Sequence, residues 1–222
     1  MLREFGPNEV VYLLMATRWT IALSLVAFFG GGLLGLLLAV LRVSPLTPLR
    51  LISALFIQLF QATPLLLLLM LLYFGINFFG VRIDAWTAAS IGFTLSTAAF
   101  LAEIWRGCIN SVPKLQWEGA RALAFTFPQT LRLIILPQAL RIALPPTVGY
   151  MVQVVKGTSV AALIGFTELA RAGVQMNTIT FEPILVFSTV SAIYFALCWP
   201  LSLLSRKLER RLHVGHVRVQ SM

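Results

Sequence analysis

Lys114 to Pro146 reads KLQWEGARALAFTFPQTLRLIILPQALRIALPP, and the reading of this stretch decides the fold. It looks helical, carries spaced cations and lies between two strongly apolar regions. Ser111-Val112-Pro113 ahead of it has the form of a helix start. Gln116 to Ala124 combines strong helix formers with the small residues Gly119, Ala120 and Ala122. Thr126-Phe127-Pro128-Gln129 then fits a capping box, with Thr as cap, Gln three residues on and Pro tolerated in the first turn. The pattern predicts two short helices, 114–125 and 127–136, with a bend between them. Pro137, Pro145 and Pro146 are expected to break the path beyond. Such helices can be a solvated connector. The small residues argue instead for a surface that another backbone approaches closely.

Outward from this stretch, charge disappears. The chain of 222 residues is 59% hydrophobic and 11% charged. That balance is too apolar for an ordinary soluble domain. Trp19–Leu41, Leu51–Val81, Ala85–Ala102 and Pro183–Ser205 contain no charged residue, and Ile142–Thr167 is interrupted only by Lys156. A helix crossing the ~30 Å hydrocarbon layer needs about 20 apolar residues. The reading is an all-α integral membrane protein, one domain over 1–222, with five transmembrane helices at about 19–41, 52–75, 85–105, 142–166 and 183–205. A buried all-α soluble core would show polar helix faces, which these segments lack.

The net charge of +9 is explained by its placement. With five crossings the termini lie on opposite sides. Arg206, Lys207, Arg210, Arg211 and Arg218 mark the carboxyl end as cytoplasmic by the positive-inside rule. The loops 42–50 and 103–141, the latter holding a coupling loop at about 107–141, then join it on that side, and the amino terminus is outside. Of 17 basic residues, 12 fall inside. The charge is thus a topology signal, and no nucleic-acid partner is expected. Glu4, Glu9 and Arg18 precede a first apolar run too long for a signal-peptide core, so that run is expected to stay as a helix. Residues 1–18 read as a short lead-in on the outer surface. Cys108 and Cys198 suggest no disulfide, and His213 and His216 no metal site.

Polar residues inside apolar spans carry the remaining information. Gly30-Gly31-Gly32 and Gly35 suit close helix packing, with a flexible gate as the sharper reading. Gln58 and Gln61, three apart on one face, together with Thr63 before Pro64, are costly in lipid unless paired or wet. They read as interhelical hydrogen bonding or as a solute lining. Glu103 and Arg106 can pair at i, i+3. Tyr73–Asp84 and Glu168–Glu182 read as outer loops. Lys156 about mid-membrane, in Lys156-Gly157-Thr158-Ser159, is either a snorkelling cation or part of a solute path through an interrupted helix. No nucleotide-binding loop accompanies it.

Taken together, these residues resemble the permease subunits of bacterial ATP-binding-cassette importers of the polar amino acid branch. The resemblance covers nearly the whole chain. The family's Glu-Ala-Ala, three residues, Gly, then Ile-x-Leu-Pro pattern is matched by Glu118-Gly119-Ala120, Ala124 and Ile134-Ile135-Leu136-Pro137. Its Arg-Gly-Thr-Pro-Leu-Leu signature stands as Gln61-Ala62-Thr63-Pro64-Leu65-Leu66, and Lys-Asp-Thr-Ser-Leu as Lys156-Gly157-Thr158-Ser159-Val160. Gly119 and Ala124 exchange one small residue for another. Gln61 and Gly157 remove charge near the implied pathway.

The resemblance implies a type I importer permease fold in the bacterial inner membrane. It implies a second permease subunit, identical or different, a cytoplasmic ATPase dimer and an external solute-binding protein that delivers an amino acid. Glu118, Gly119, Ala120 and Ala124 would couple to the ATPase. Gln58, Gln61, Thr63, Lys156, Thr158 and Ser159 would line the solute path. The chain itself would be no enzyme and would hold no cofactor. Two other classes compete. A channel or secondary transporter would want intramembrane acids for coupling, and only Glu103, near an interface, is offered. A membrane-embedded enzyme would need a clustered nucleophile, metal or acid/base set, and none is visible.

Overall fold

The structure is a computed structural model that describes residues 4–213, so His216 and the side chain of His213 lie outside it. Among the described residues there are eight helices and no strand. These are α1 (Pro7–Val43), α2 (Thr47–Ala62), α3 (Leu65–Phe78), α4 (Ala85–Asn110), α5 (Lys114–Ala122), α6 (Phe127–Ile164), α7 (Leu169–Thr180) and α8 (Pro183–His213). By length and composition α1, α4, α6 and α8 can each cross a membrane; the pair α2 and α3, bent by 99°, makes a fifth if it serves as one span.

The α1 helix begins at Pro7, well before the expected start near Trp19. Proline suits the first helical position, and the Gly6 N–H donates to Glu9 Oε2 at 2.9 Å. Its first turns stay helical because they have somewhere to pack. Leu13 and Ala16 are buried against Leu169 and Ala172 of α7 and Val190 of α8. Further along, α1 lies against α4, its most extensive neighbour. A Cβ added at Gly31 would come within 2.7 Å of the Thr97 side chain, and one at Gly35 within 2.9 Å of the Ala98 carbonyl oxygen. The glycines on this face are therefore packing residues.

The second expected span is broken at Thr63-Pro64. A residue before proline is driven to extended backbone, and Thr63 has ψ 122°. Its hydroxyl donates back to the Leu59 carbonyl at 2.8 Å, closing the end of α2. Beyond the bend, α3 continues to Phe78 through a wide turn at Leu71–Gly75, so the first part of the expected outer loop is helical. Asp84 then caps α4 by accepting from the Thr87 N–H at 3.3 Å. Near the other end of α4, Arg106 Nε donates to Glu103 Oε2 at 2.9 Å, the pairing expected from their spacing.

Pro137, Pro145 and Pro146 do not break the chain: α6 runs continuously from Phe127 to Ile164. A wide turn over Thr130–Ile135 precedes Pro137 and opens the ladder where the proline ring would meet the carbonyl one turn back. At the second site, hydroxyls bond the surrounding carbonyls. Ser205 of α8 donates to the Pro145 oxygen at 2.9 Å, and Thr147 donates to Ala143 at 2.6 Å while accepting from Trp105 Nε1 at 2.8 Å. The expected interruption at Lys156–Ser159 takes the form of tightening. The α-helix gives way to 3₁₀ geometry over Thr158–Ile164 and stops at Gly165, whose φ of +92° is a conformation that favours glycine.

The expected outer loop 168–182 contains a helix, α7, and Glu168 explains why it forms there. Its carboxylate accepts from the Ala170 and Arg171 N–H groups at 2.9 and 2.8 Å, and from Tyr194 Oη at 2.7 Å. Thr20 Oγ1 of α1 lies 3.5 Å away and itself accepts from the Leu169 N–H. One fully buried carboxyl thus joins α1, α7 and α8. Burial pushes its pKa above the ordinary value of 4.5, against the pull of its four donors. Replacing Glu168 with Ala leaves two amides and a phenol unmatched, and is expected to cost about 3 kcal/mol in denaturant unfolding. The raised pKa means that folding takes up a proton between pH 4.5 and the raised value. Wild-type stability is expected to fall as pH climbs through that window, and the Ala variant to lose this slope.

Candidate functional site

Two regions hold the residues singled out by sequence: the short helix α5, and the polar positions around the α2–α3 bend and the C-terminal part of α6.

The orientation of α5 follows from its periodicity. Trp117 and Ala120 face inward, Ala120 being 2% exposed. Trp117 stacks on Phe127 at the start of α6 with ring centroids 6.3 Å apart, and both pack on Ile109, Val112, Leu131, Ile135 and Ala139. The opposite face is open. It holds Glu118 and Gly119, flanked by Leu115 and Leu123 at 74% and 70% exposure. Two large aliphatic side chains are thus left in the open, one in the first turn of this nine-residue helix and one just past its end, a pattern that suits a docking surface. A Cβ built at Gly119 would meet nothing within 4 Å. Of the four expected coupling residues, Glu118 and Gly119 thus sit on the free face, while Ala120 holds the helix down from beneath. Leu115 and Leu123 were not singled out by sequence; their spacing of eight, two turns apart around Gly119, is the signal that could have found them.

Ala124 lies just past the helix end with φ +56°, the left-handed conformation. Its N–H donates to the Arg121 carbonyl at 2.9 Å, and the Phe125 N–H donates to Ala120 at 3.0 Å, the paired closure of a helix that normally ends on glycine. An alanine there is strained by about 1 kcal/mol. Ala124→Gly is therefore expected to steady the closure by about 1 kcal/mol. Hydrogen exchange at the amides of residues 124 and 125 should slow roughly fivefold. Unchanged exchange would mean that the strain is not borne there.

Around the bend, most of the expected pathway residues spend their hydrogen bonds within the chain. Gln61 Nε2 donates to the Ala99 carbonyl of α4 at 3.2 Å, Thr63 to Leu59, Thr158 to Val155 at 2.8 Å and Ser159 to Lys156 at 2.8 Å. Thr158 is fully buried. Gln58 and Lys156 are exposed. The two signature segments nevertheless meet: a Cβ at Gly157 would lie 3.4 Å from Phe93 and 4.0 Å from Leu65, the residue after Pro64. Lys156 points elsewhere. It lines a groove of about 470 Å³ against α8, with Ser191, Tyr194, Cys198, Trp199 and Ser202. The structure thus brings the bend and Gly157 together, and sets Lys156 on a different face from Gln61.

One element connects the two regions. The α6 rod starts beside Trp117 of α5 and carries Lys156–Ser159 in its C-terminal half. At 1.5 Å per residue its length is roughly 55 Å.

Comparison with known proteins agrees with this geometry. Residues 31–214 match the family described as binding-protein-dependent transport system inner membrane component. The chain is 37% identical over 200 residues to the probable amino-acid ABC transporter permease protein YckA of Bacillus subtilis, covering 90% of this chain and 88% of that protein. It is 36% identical over 195 residues to the L-cystine transport system permease protein TcyB of the same organism, covering 87% and 83%. It is 32% identical over 204 residues to the glutamine transport system permease protein GlnP of Escherichia coli, covering 91% and 93%. Among solved structures, a crystal structure of an amino acid ABC transporter with histidines superposes with a TM-score of 0.85 at 31% identity, covering 90% of this chain and 94% of that one. The inward-facing MetNI methionine transporter shares the fold, with a TM-score of 0.79 at 21% identity over 94% of this chain and 99% of that one. The chain belongs to the family of inner membrane components of binding-protein-dependent transport systems.

Proposed function

We propose that this chain is the membrane-spanning permease subunit of an ATP-driven amino acid importer of the bacterial inner membrane. The observation that carries the reading is the open face of α5, an aliphatic and glycine surface on the side of the helix turned away from the chain. A cytoplasmic ATPase dimer seats this helix, a second permease subunit completes the pathway, and an external solute-binding protein delivers the amino acid. The amino terminus is outside and the carboxyl terminus inside, a reading that the bias of basic residues supports.

The mechanism follows from the packing. Closure of the ATPase dimer carries α5 with it through Glu118 and Gly119 on its open face. Trp117 and Ala120 hold α5 against the base of α6, and the closure at Ala124 keeps the joint short. A displacement of α5 therefore enters α6 at Phe127–Ile135 and reaches Lys156–Ser159 along an uninterrupted helix. There α6 leans on the α2–α3 bend through Gly157. Gln58, Gln61, Thr63, Lys156, Thr158 and Ser159 surround this moving contact; Gln58 and the Lys156 ammonium are the groups most open to a solute.

The test is reconstitution of the chain with its ATPase subunit and solute-binding protein in vesicles. Uptake is expected only when ATP is supplied to the cytoplasmic face. Uptake driven by a proton or sodium gradient without ATP would instead establish a secondary transporter.

A further inference from the structure

The connection from α6 to α8 is fastened to both of the helices it joins. Its helix, α7, begins after Glu168, whose fully buried carboxylate accepts from the Ala170 and Arg171 N–H groups and from Tyr194 Oη of α8. The Arg171 side chain reaches the other way. Its Nη1 donates at 2.7 Å to the Ala162 carbonyl, in the last turn of α6. A cation suits that place, because the last carbonyls of a helix lack partners within it and carry the negative end of its dipole. Among the described residues this is the one hydrogen bond of the Arg171 side chain, and its Nε is buried without a partner. The body of α7 lies close on α8: a Cβ added at Gly173 would come within 2.7 Å of the Val190 side chain.

Tyr194 extends one of these attachments into the packing below. Its side chain belongs to two clusters at once. One holds Leu13, Ala16, Leu169, Ala172 and Val190, and seats α7 on α1 and α8. The other holds Val152, Val155 and Cys198, the seam between α6 and α8. Tyr194 also lines the groove that holds Lys156 and Cys198. One side chain therefore keeps its hydroxyl on the α7 cap and its ring in the α6–α8 seam. With α7 bonded to α6 through Arg171 and to α8 through Glu168, the two helices separate beside Lys156 only if one bond opens or α7 unwinds. Hydrogen bonds in a low-dielectric interior resist such opening more than bonds in water do.

We propose that α7 is a strap that sets the spacing of α6 and α8, with Tyr194 and Arg171 as the positioning residues at its two ends. They act through α7 on the width of the Lys156 groove. The bearing on transport rests on the importer reading. There, a displacement of α6 against α8 strains one end of the strap, so the strap sets how readily the groove opens. The spacing itself belongs to the folded chain and is tested without transport.

The experiment is timed modification of the assembled transporter in nanodiscs with methyl methanethiosulfonate, read at Cys198 and Cys108 by peptide mass spectrometry. Both thiols are buried. Cys198 lies in the groove, about one turn from Tyr194. Cys108 lies beside Leu212, roughly 27 Å from Tyr194 along α8 at 1.5 Å per residue. Tyr194→Phe keeps the ring and removes the hydroxyl. Arg171→Met removes the donor at a position outside the groove, so its effect on Cys198 travels through α7. Each is expected to speed modification of Cys198 at least fivefold. Arg171→Lys keeps a cation for the Ala162 carbonyl and should hold the wild-type rate. Cys108 should keep its rate in all three. A wild-type Cys198 rate in either Tyr194→Phe or Arg171→Met would overturn the proposal. So would an Arg171→Lys variant as fast as Arg171→Met, or an equal acceleration at Cys108, which would mean a general loosening of the fold. No uptake is measured, so failure here leaves the importer reading standing, and ATP-independent uptake would leave the strap standing.

Discussion

Tryptophan at Gly119 is expected to lower ATP-driven uptake at least fivefold while the chain folds, inserts and runs as a monodisperse species. The two halves of this expectation come from one geometric fact. A Cβ at Gly119 meets nothing within 4 Å of its own chain, so an indole there has free space in the isolated subunit. Glycine is also the poorer helix former, so α5 itself does not suffer. A side chain added to a well-packed docking surface typically costs about 1–3 kcal/mol, or roughly 5- to 150-fold in affinity. ATPase co-purification and uptake should therefore fall together. Ala120→Trp makes the contrast. Ala120 is 2% exposed above the Ile109–Ala139 cluster, so that variant should lose thermal stability as well as uptake. A Gly119→Trp variant with full uptake would mean that nothing seats on the open face of α5.

The second large effect concerns α1 and α4. Gly35→Leu is expected to destabilise the fold by about 3 kcal/mol or more, seen as loss of monodisperse protein and a lowered Tm in detergent. The obstacle at Gly35 is the Ala98 carbonyl at 2.9 Å, with the Ala102 amide at 3.3 Å, and backbone within a packed helix cannot step aside. Gly32→Leu is the control. Its nearest neighbours are the far ends of Trp105 and Leu101 at 3.8 and 4.0 Å, ordinary contact distance, so its cost should stay below about 1 kcal/mol. Equal tolerance at both positions would show that α1 and α4 are not in close contact at Gly35.

Much of this architecture was legible in the residues because lipid imposes a strict pattern. Uninterrupted apolar runs located the long apolar helices, and the Glu103–Arg106 spacing and the Thr126–Gln129 box matched the bonds that form. Helix ends were not legible. A helix does not stop where the membrane stops if protein is there to cover it, and the first turns of α1 are covered by α7 and α8. The α7 helix was hidden for the same reason: its stability comes from the Glu168 cap and from packing rather than from an apolar run. The prolines misled in the other direction. Pro64 produces a 99° bend, whereas Pro137, Pro145 and Pro146 leave α6 continuous. The difference lies in neighbours that the local sequence does not display, the wide turn before Pro137 and the Ser205 hydroxyl across from Pro145.

At the candidate site, the small residues Gly119 and Ala120 beside Glu118 suggested a docking surface without showing its direction. The fold separates the three by face, Gly119 outward and Ala120 inward. Lys156 likewise marked itself by charge, but only the packing of α6 on α8 puts it in a groove apart from Gln61.

The most direct test of α5 as the seat of the ATPase is a photo-activated cross-linker placed at residue 119 of the full transporter in native membranes. Irradiation is expected to give an adduct with the ATPase subunit whose yield changes when ATP is added, while the same cross-linker at Phe79, in the turn after α3, gives none. Absence of the adduct at residue 119, or equal yields at 119 and 79, would contradict the coupling role assigned to this helix.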